Sequence, residues 1–243
     1  MKKCIPNFFT LLNLLSGLIA LFFVFQNNWI WVAIWVLFGI LFDFFDGFLA
    51  RKLKVSGQLG LELDSLADMV TSGVVPGFTM FFLIQNSLHI DLLQNFNFSF
   101  QNLWPFLSFS IPLASAYRLA IFNISEQKDT FTGLPTPANA LFLISLPLII
   151  FYSNYSQVSQ FLSDKFVLSF IIILSSYLLN AKIQLFSLKF NDYTWKNNQE
   201  KYILILFSIL LLICLNLLAL PLIIIIYILL SLFFKNNKSE ITY

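Results

Sequence analysis

Apolar runs of about twenty residues recur along the whole chain, and they constrain its fold more than any other feature. Each run is long enough to cross the hydrocarbon core of a bilayer as one α-helix. Of the 243 residues, 58% are hydrophobic and 11% are charged, whereas about a quarter of the residues of a soluble domain carry a charge. Polar residues must cover the exterior of a soluble domain. We therefore predict an all-α integral membrane protein.

Eight transmembrane spans can be marked on the sequence. They cover residues 5–25, 29–49, 64–85, 103–122, 138–153, 166–181, 202–218 and 221–234. The first is too long for the apolar region of a signal peptide, and no small-residue cleavage site follows it, so we expect it to be retained. Only the break at Leu220 and Pro221 separates the last two spans, so a single long broken hairpin is the alternative there.

The positive charges predict which side of the membrane each loop faces. If the N-terminus is cytoplasmic, thirteen of the fourteen Lys and Arg residues lie in cytoplasmic segments, and only Lys165 lies outside. The positive-inside rule describes such a bias. We therefore expect a multi-pass protein of the cell (inner) membrane with both termini and the 50–63 loop in the cytoplasm. The single histidine, His89, then falls in an external loop, where we interpret it as a solvated residue.

Acidic residues are concentrated where a bilayer disfavours them. Five of the twelve lie between positions 43 and 68. Asp43 and Asp46 lie three apart in the second span, and Asp64 and Asp68 lie four apart at the start of the third, so the members of each pair share a helix face. An ionised carboxylate at membrane depth is costly unless it meets a cavity, a partner or a metal. Antiparallel packing of the two helices would bring the four carboxylates to one depth near the cytoplasmic surface.

These four carboxylates predict a metal site. At close range they cannot all ionise without a cation, and oxygen ligands with no cysteine or histidine nearby favour Mg²⁺ or Mn²⁺. Two ions bridged by the carboxylates would suit chemistry on a diphosphate, and Arg51 could hold phosphate oxygens. Helix capping could explain Asp64 alone, but not Asp43, which lies well inside a helix with no basic residue on its face. An ion-coupled transporter is a further alternative, although its acids usually lie near the midplane, with internal repeats.

The aspartates belong to a longer pattern. It reads Asp43-x-x-Asp46-Gly47-x-x-Ala50-Arg51 and, after eight residues, Gly60-x-x-x-Asp64-x-x-x-Asp68. This pattern resembles the signature of the CDP-alcohol phosphatidyltransferases at every position and with the expected spacing. The resemblance implies a six-helix transmembrane core, here residues 1–190, which transfers a phosphatidyl group from a CDP-linked lipid to an alcohol and releases CMP. We expect residues 191–243 to add a transmembrane hairpin and a short cytoplasmic tail. We also expect a homodimer in contact with membrane lipid and without a nucleic-acid partner.

The resemblance also implies a role for each position of the pattern. The first three aspartates, Asp43, Asp46 and Asp64, are expected to be metal ligands. The fourth, Asp68, is expected to contact a metal and to act as general base on the incoming hydroxyl. The expected contacts of the CDP-lipid are Gly47, Ala50 and Gly60 for the cytidine and diphosphate, and Arg51 for phosphate.

Three further segments bear on the acceptor alcohol, because they resemble the phosphatidylserine synthases of the family. They are IPNFFTLLNLLSGLIAL, MVTSGVVPG, and YRLAIFN followed by FTGLPTPANA, in which Ile121 replaces an expected arginine. Arg118 is expected at the level of the aspartates, where its charge suits a serine carboxylate or a lipid phosphate; the alternative is an ordinary positive-inside anchor. We therefore predict a phospholipid-synthesising enzyme that uses CDP-diacylglycerol and L-serine and yields phosphatidylserine and CMP. Glycerol 3-phosphate and inositol phosphate are the alternative acceptors.

Overall fold

A bundle of apolar helices forms the part of the protein that the computed structural model describes, which is residues 4–55, 57–92, 94, 97–124, 133–183, 185, 194 and 198–239. No strand occurs in these ranges, so the prediction of an all-α membrane protein is confirmed. In chain order the helices are α1 (Cys4–Phe25), α2 (Trp29–Lys52), α3 (Gln58–Asp68), α4 (Val75–Ser87), α5 (Phe100–Leu103), α6 (Ser110–Ile124), α7 (Thr136–Tyr152), α8 (Ser156–Leu162), α9 (Lys165–Asn180), α10 (Gln199–Leu215) and α11 (Ala219–Ser239).

Within the described ranges, five stretches are long and apolar enough to cross a membrane, and they include most of the spans marked on the sequence. The stretches are Cys4–Phe25, Trp29–Lys52, Gln58–Ser87, Phe100–Ile124 and Gln199–Phe233. A sixth exists if α8 and α9, which meet at 67°, count as one broken span, and α7 is a shorter apolar helix. The third stretch begins at Gln58 rather than at 64, so Asp64 lies inside the helix and not at its opening.

The last stretch is interrupted at a different place from the one that the sequence indicated. Residues 216–218 form a short 3₁₀ turn, and Asn216 has a φ of 49° and a ψ of −119°. On either side of this turn, Leu204 of α10 and Ile224 and Tyr227 of α11 belong to one buried apolar cluster. The two helices therefore fold back on each other as a hairpin, with its break four residues before the predicted one. The proposed division between 190 and 191 falls outside the described residues and stays a prediction.

Helix α1 has its large apolar side chains on the outside and its small and polar ones inside, the reverse of a helix in a soluble protein. Its buried residues are mostly small or polar and recur every three or four positions; they are Pro6, Thr10, Asn13, Ser16, Gly17, Ala20 and Val24. Its large apolar side chains, among them Phe8, Leu11 and Leu15, are exposed on the other face. Since lipid is as apolar as leucine, helices in a membrane associate through close packing of small residues and through polar contacts. Helix α1 therefore presents a polar face to the bundle.

A π-helical turn over Met69–Val74 joins α3 to α4 and packs tightly against α1 and α2. A Cβ on Gly17 would lie 3.0 Å from the Cα of Thr71, and a Cβ on Gly39 would lie 2.6 Å from the Cγ2 of Thr71. The two glycines thus let three backbones approach one another. Pro76 follows this turn and has no N–H to offer to the carbonyl four residues earlier, so a regular α-helix could not run through this point with all its hydrogen bonds. The wide turn lies directly after Asp68, and it therefore shapes the helix beside the aspartates.

Candidate functional site

Three of the four aspartates meet in space. Asp43 of α2 and Asp64 and Asp68 of α3 each offer a carboxylate oxygen, and these three oxygens lie within 4.8 Å of one another. All three residues are partly buried. The helices α2 and α3, which carry these aspartates, have few close backbone contacts with each other. Helix α1 packs closely along both of them. The carboxylates therefore meet across a cleft whose floor is α1, rather than at a direct contact of two neighbouring helices.

Asp46 has a hydrogen-bond partner on α1. Its side chain is buried, and its Oδ2 accepts a hydrogen bond of 2.5 Å from the Oγ1 of Thr10. It does not belong to the group of three oxygens, although it lies on the same α2 face as Asp43. The role of all four aspartates as metal ligands stays a prediction. Three converge, and the fourth is held beside them by α1.

The remaining polar contacts of the cluster leave room for a cation. Asp68 accepts a hydrogen bond of 3.1 Å at its Oδ1 from the Nδ2 of Asn13. The Oδ1 of Asp64 is buried and has no hydrogen-bond partner among the described residues. Both donors to the aspartates, Thr10 and Asn13, are neutral, so they do not neutralise the carboxylates. Converging carboxylate oxygens, one of them buried and unpaired, are the donor set that hard divalent cations prefer. The site could therefore hold a metal ion, although nothing in its geometry selects which one.

A cavity of about 530 Å³ opens beside the aspartates, between the end of α2 and the start of α3. Its lining includes Thr10, Asp46, Gly47, Ala50, Gly60 and Asp64. Gly60 faces α1 closely, since a Cβ there would lie 3.2 Å from the Oδ1 of Asn7. Small residues on both helices keep the cavity open at the level of the carboxylates. Gly47, Ala50 and Gly60 thus lie where a bound nucleotide could contact them, and their role stays a prediction.

Neither arginine of the prediction lines the cavity, although Arg51 lies beside its wall, since a Cβ on Gly47 would lie 3.5 Å from the Nη1 of Arg51. Arg51 is exposed at the end of α2, and it is not among the residues that line the cavity. The guanidinium of Arg118 is partly buried, and its Nη1 donates a 2.8 Å hydrogen bond to the carbonyl of Leu179 in α9. In the described structure Arg118 therefore joins α6 to α9. A contact of either arginine with substrate stays a prediction.

Another residue of the YRLAIFN segment reaches the helix that carries the aspartates. The Oδ1 of Asn123 accepts a 3.1 Å hydrogen bond from Ser65, and its Nδ2 donates one of 3.3 Å to Glu62. Sequence reasoning assigned no role to Asn123, nor to the α1 residues Thr10 and Asn13. The signal for the α1 residues was available, because polar residues at 7, 10 and 13 recur every third position of an otherwise apolar helix and so share one face.

Comparison with known proteins gives one family and a consistent set of relatives. A family model described as CDP-alcohol phosphatidyltransferase matches residues 3–178. The chain is 27% identical over 172 residues to the CDP-diacylglycerol–serine O-phosphatidyltransferase of Helicobacter pylori, which covers 70% of this chain and 66% of that protein. It is 34% identical over 144 residues to the protein of the same name from Bacillus subtilis, which covers 58% of this chain and 74% of that protein.

A relative with a different acceptor in its name is similar over more of its length. The CDP-diacylglycerol–glycerol-3-phosphate 3-phosphatidyltransferase of Aquifex aeolicus is 31% identical over 192 residues, which is 79% of this chain and 94% of that protein. The chain spans a little under two thirds of the length of the Helicobacter pylori relative. The shared family is therefore better supported than any one acceptor.

We predict that replacing Asp64 with asparagine separates the stability of the protein from its metal binding. Three carboxylates within 4.8 Å repel one another, and removing one charge relieves that repulsion. Without divalent cations, Asp64→Asn should raise the midpoint of thermal unfolding in detergent by about 2–4 °C, which corresponds to about 1 kcal/mol for a protein of this size. Added Mg²⁺ should stabilise the wild type but not the variant.

The matched control is Glu62→Gln, which changes an exposed acid on the same helix outside the cluster. It should leave the Mg²⁺-dependent stabilisation as it is in the wild type. Equal stabilisation of wild type and Asp64→Asn by Mg²⁺ would contradict a metal site at this cluster.

Proposed function

The chain belongs to the CDP-alcohol phosphatidyltransferase family, and from that premise we propose that it transfers the phosphatidyl group of CDP-diacylglycerol to the hydroxyl of L-serine, giving phosphatidylserine and CMP. The observation that carries the proposal is the convergence of Asp43, Asp64 and Asp68 beside a cavity with small residues in its wall. Serine as the acceptor is supported by the names of the relatives from Helicobacter pylori and Bacillus subtilis.

The cavity suits the nucleotide end of a CDP-linked lipid. Gly47, Ala50 and Gly60 leave space for a flat base and a diphosphate close to the helix backbones. The same helices carry large exposed apolar side chains at Phe44, Phe48 and Leu59. Acyl chains can therefore stay in the hydrocarbon of the bilayer while the diphosphate reaches the carboxylates. Arg51 at the end of α2 would meet phosphate oxygens at the entrance.

The aspartates would hold the divalent cation on which such a reaction depends. Asp43, Asp64 and Asp68 would be its ligands, and Asp46 would serve a second ion together with Asp64, which lines the same cavity. We propose Mg²⁺ or Mn²⁺, because only carboxylate oxygens converge here. A bound cation would neutralise the diphosphate and stabilise the leaving phosphate.

In this proposal Asp68 takes the proton of the acceptor. A serine hydroxyl is a weak nucleophile at neutral pH and needs a positioned base as the new bond forms. The serine oxygen forms a bond to the phosphorus that carries the diacylglycerol, and the bond from that phosphorus to the bridging oxygen of CMP breaks. CMP leaves with the electron pair, and the hydroxyl proton passes to the Asp68 carboxylate. The hydrogen bond from Asn13 to one Asp68 oxygen leaves the other oxygen available for this transfer.

The second candidate acceptor is glycerol 3-phosphate, which the relative from Aquifex aeolicus favours by its coverage and its name. An acceptor that carries a phosphate needs cationic side chains around it. Among the described residues that line the cavity there is no Lys or Arg, and Arg118 bonds to the carbonyl of Leu179. This scarcity of basic residues supports serine over glycerol 3-phosphate.

The setting of the reaction follows from the substrates and the charges. CDP-linked lipids and serine would meet at the cytoplasmic surface of the membrane, and the Lys and Arg bias supports a cytoplasmic 50–63 loop. We therefore propose a multi-pass protein of the cell (inner) membrane with a cytoplasmic active site. A homodimer is proposed on the family resemblance alone, and residues 1–190 are proposed as the catalytic core.

We predict that purified protein releases CMP from CDP-diacylglycerol only when serine and a divalent cation are both present. The measurement is CMP release in mixed micelles with a panel of alcohols that includes serine, glycerol 3-phosphate and inositol phosphate. Serine should give the highest kcat/KM, and excess EDTA should abolish the release until Mg²⁺ or Mn²⁺ is restored. Equal turnover with glycerol 3-phosphate would exclude the serine assignment, and the absence of metal-dependent release with every alcohol would exclude the enzyme.

We predict that Asp68→Asn leaves a folded protein that still responds to metal but is nearly inactive. The amide keeps one oxygen for the Asn13 hydrogen bond but cannot accept the hydroxyl proton, and loss of a general base costs about 10²–10⁴ in rate. Turnover with serine should fall by this factor, while thermal stabilisation by Mg²⁺ is kept in part. A variant with most of the wild-type rate would show that Asp68 is not the base.

A further inference from the structure

Two polar residues of α1 each donate a hydrogen bond to an aspartate of the site. Neither belongs to the sequence pattern that runs from Asp43 to Asp68. We propose that Thr10 and Asn13 are positioning residues, which hold Asp46 and Asp68 in the orientation that a cation requires. The proposal deepens the proposed function and rests on its metal site, but it concerns a helix that carries no ligand. Since the residues act through the aspartates, their effect should appear in metal binding before any substrate is present.

Thr10 fixes the side chain of Asp46. Its hydroxyl lies 2.5 Å from the Oδ2 of Asp46 and 3.2 Å from the carbonyl of Pro6. A hydroxyl has one proton to donate, and the shorter contact, to a charged acceptor, is the stronger of the two. Thr10 is 3% exposed and Asp46 6%, so little of either side chain is accessible to water. Asp46 is therefore held beside the three converging carboxylates.

Asn13 fixes the side chain of Asp68 in a comparable way. Its Nδ2 donates to the Oδ1 of Asp68 at 3.1 Å, and its main-chain carbonyl accepts a 3.1 Å hydrogen bond from Thr71. The reverse orientation of the amide would bring two acceptor oxygens together, so the donor end must face the carboxylate. On its other side, a Cβ at Gly39 would lie 3.0 Å from the Oδ1 of Asn13. The amide thus lies in a slot that a larger residue at 39 would fill.

The packing of the helices explains why α1 carries these contacts. Asp46 lies on α2 and Asp68 lies on α3, and these two helices make few close backbone contacts with each other. Thr10 and Asn13 are three residues apart and therefore share one face of α1. One rigid helix face thus bonds to an aspartate on each side of the cleft, and it sets the separation of the two carboxylates.

Such contacts act on metal affinity because they orient the ligands in advance. Hydrogen bonds to ligating groups fix their direction, and their loss costs about 10–100-fold in metal affinity or activity. Each bond fixes one oxygen of its carboxylate and so limits the rotation of the side chain. We therefore expect variants without the donors to fold and to bind metal weakly.

The test compares Thr10→Val with Thr10→Ser in nanodiscs without substrate. Valine keeps the shape of threonine and lacks the hydroxyl, whereas serine keeps the hydroxyl. Electron paramagnetic resonance of free Mn²⁺ measures the affinity. Thr10→Val should bind Mn²⁺ about 10–100-fold more weakly than wild type, and Thr10→Ser should bind it nearly as tightly as wild type. Asn13→Leu, which removes the donor to Asp68, should show the same loss as Thr10→Val.

The matched control is Ser16→Ala, which removes a buried hydroxyl of α1 that donates to the carbonyl of Leu12 and, among the described residues, to no aspartate. This variant should bind Mn²⁺ as the wild type does, and size-exclusion chromatography should show the same monodisperse peak for all variants. If Thr10→Val and Asn13→Leu bind Mn²⁺ as tightly as wild type, the positioning proposal fails and the metal site stands. If the wild type itself binds no Mn²⁺, the metal site of the proposed function fails and the positioning proposal fails with it. Should Thr10→Val not fold, an undiminished affinity of Asn13→Leu would still overturn the proposal.

Discussion

The mutual repulsion of carboxylates inside an apolar bundle is the interaction on which the rest of the structure depends. Asp43, Asp64 and Asp68 bring oxygens within 4.8 Å of one another in helices that are otherwise apolar enough to cross a bilayer. Such a cluster is unstable in a low-dielectric setting unless a cation or donors compensate it. In the structure, a cleft separates α2 from α3 at this level, and the polar face of α1 lies beneath the cleft. The cavity, the small residues in its wall and the two donors of α1 all follow from accommodating these charges.

Helix α1 therefore has a larger part in the site than its apolar sequence indicates. Its outer face carries large side chains that suit lipid, and its inner face carries small and polar ones. Close approach at Gly17 and Gly39 brings the π-helical turn after Asp68 against α1 and α2. That turn precedes Pro76, which cannot donate the hydrogen bond of a regular helix. The backbone thus departs from regular α-helix directly after Asp68, and a regular α-helix there would change the position of Asp68 relative to α4.

The sequence predicted the helices and the cluster well, because both depend on spacing along the chain. Runs of apolar residues define spans, and intervals of three and four define a helix face, so Asp43, Asp64 and Asp68 were expected together. The hydrogen bond from Thr10 to Asp46 was not foreseen, because spacing shows which residues share a face but not which neighbouring helix supplies a partner. Arg118 was expected at the level of the aspartates, which stays a prediction, and its hydrogen bond to the carbonyl of Leu179 was not foreseen. The packing of neighbouring helices sets the rotation of a helix about its own axis, and a local sequence pattern does not contain that information.

The break between α10 and α11 is a second feature whose exact position the sequence did not predict. Proline at 221 was interpreted as the interruption, yet it lies in the first turn of α11, where the missing N–H would have no intrahelical partner. The chain is interrupted instead at Asn216, whose φ of 49° and ψ of −119° lie outside the helical regions. Either residue could have interrupted the helix. The position of the interruption agrees with the buried cluster that Leu204 of α10 shares with Ile224 and Tyr227 of α11.

The central claim is that α1, α2 and α3 enclose one cation site, and Fe²⁺-directed cleavage of the backbone tests it most directly. Fe²⁺ replaces Mg²⁺ at oxygen sites and, with ascorbate and peroxide, cuts the chain close to where it binds. The account predicts fragments from cuts near Asp43, near Asp64 and Asp68, and near Thr10 and Asn13, all suppressed together by excess Mg²⁺. Cleavage confined to one of these helices, or cleavage that Mg²⁺ does not suppress, would contradict the account.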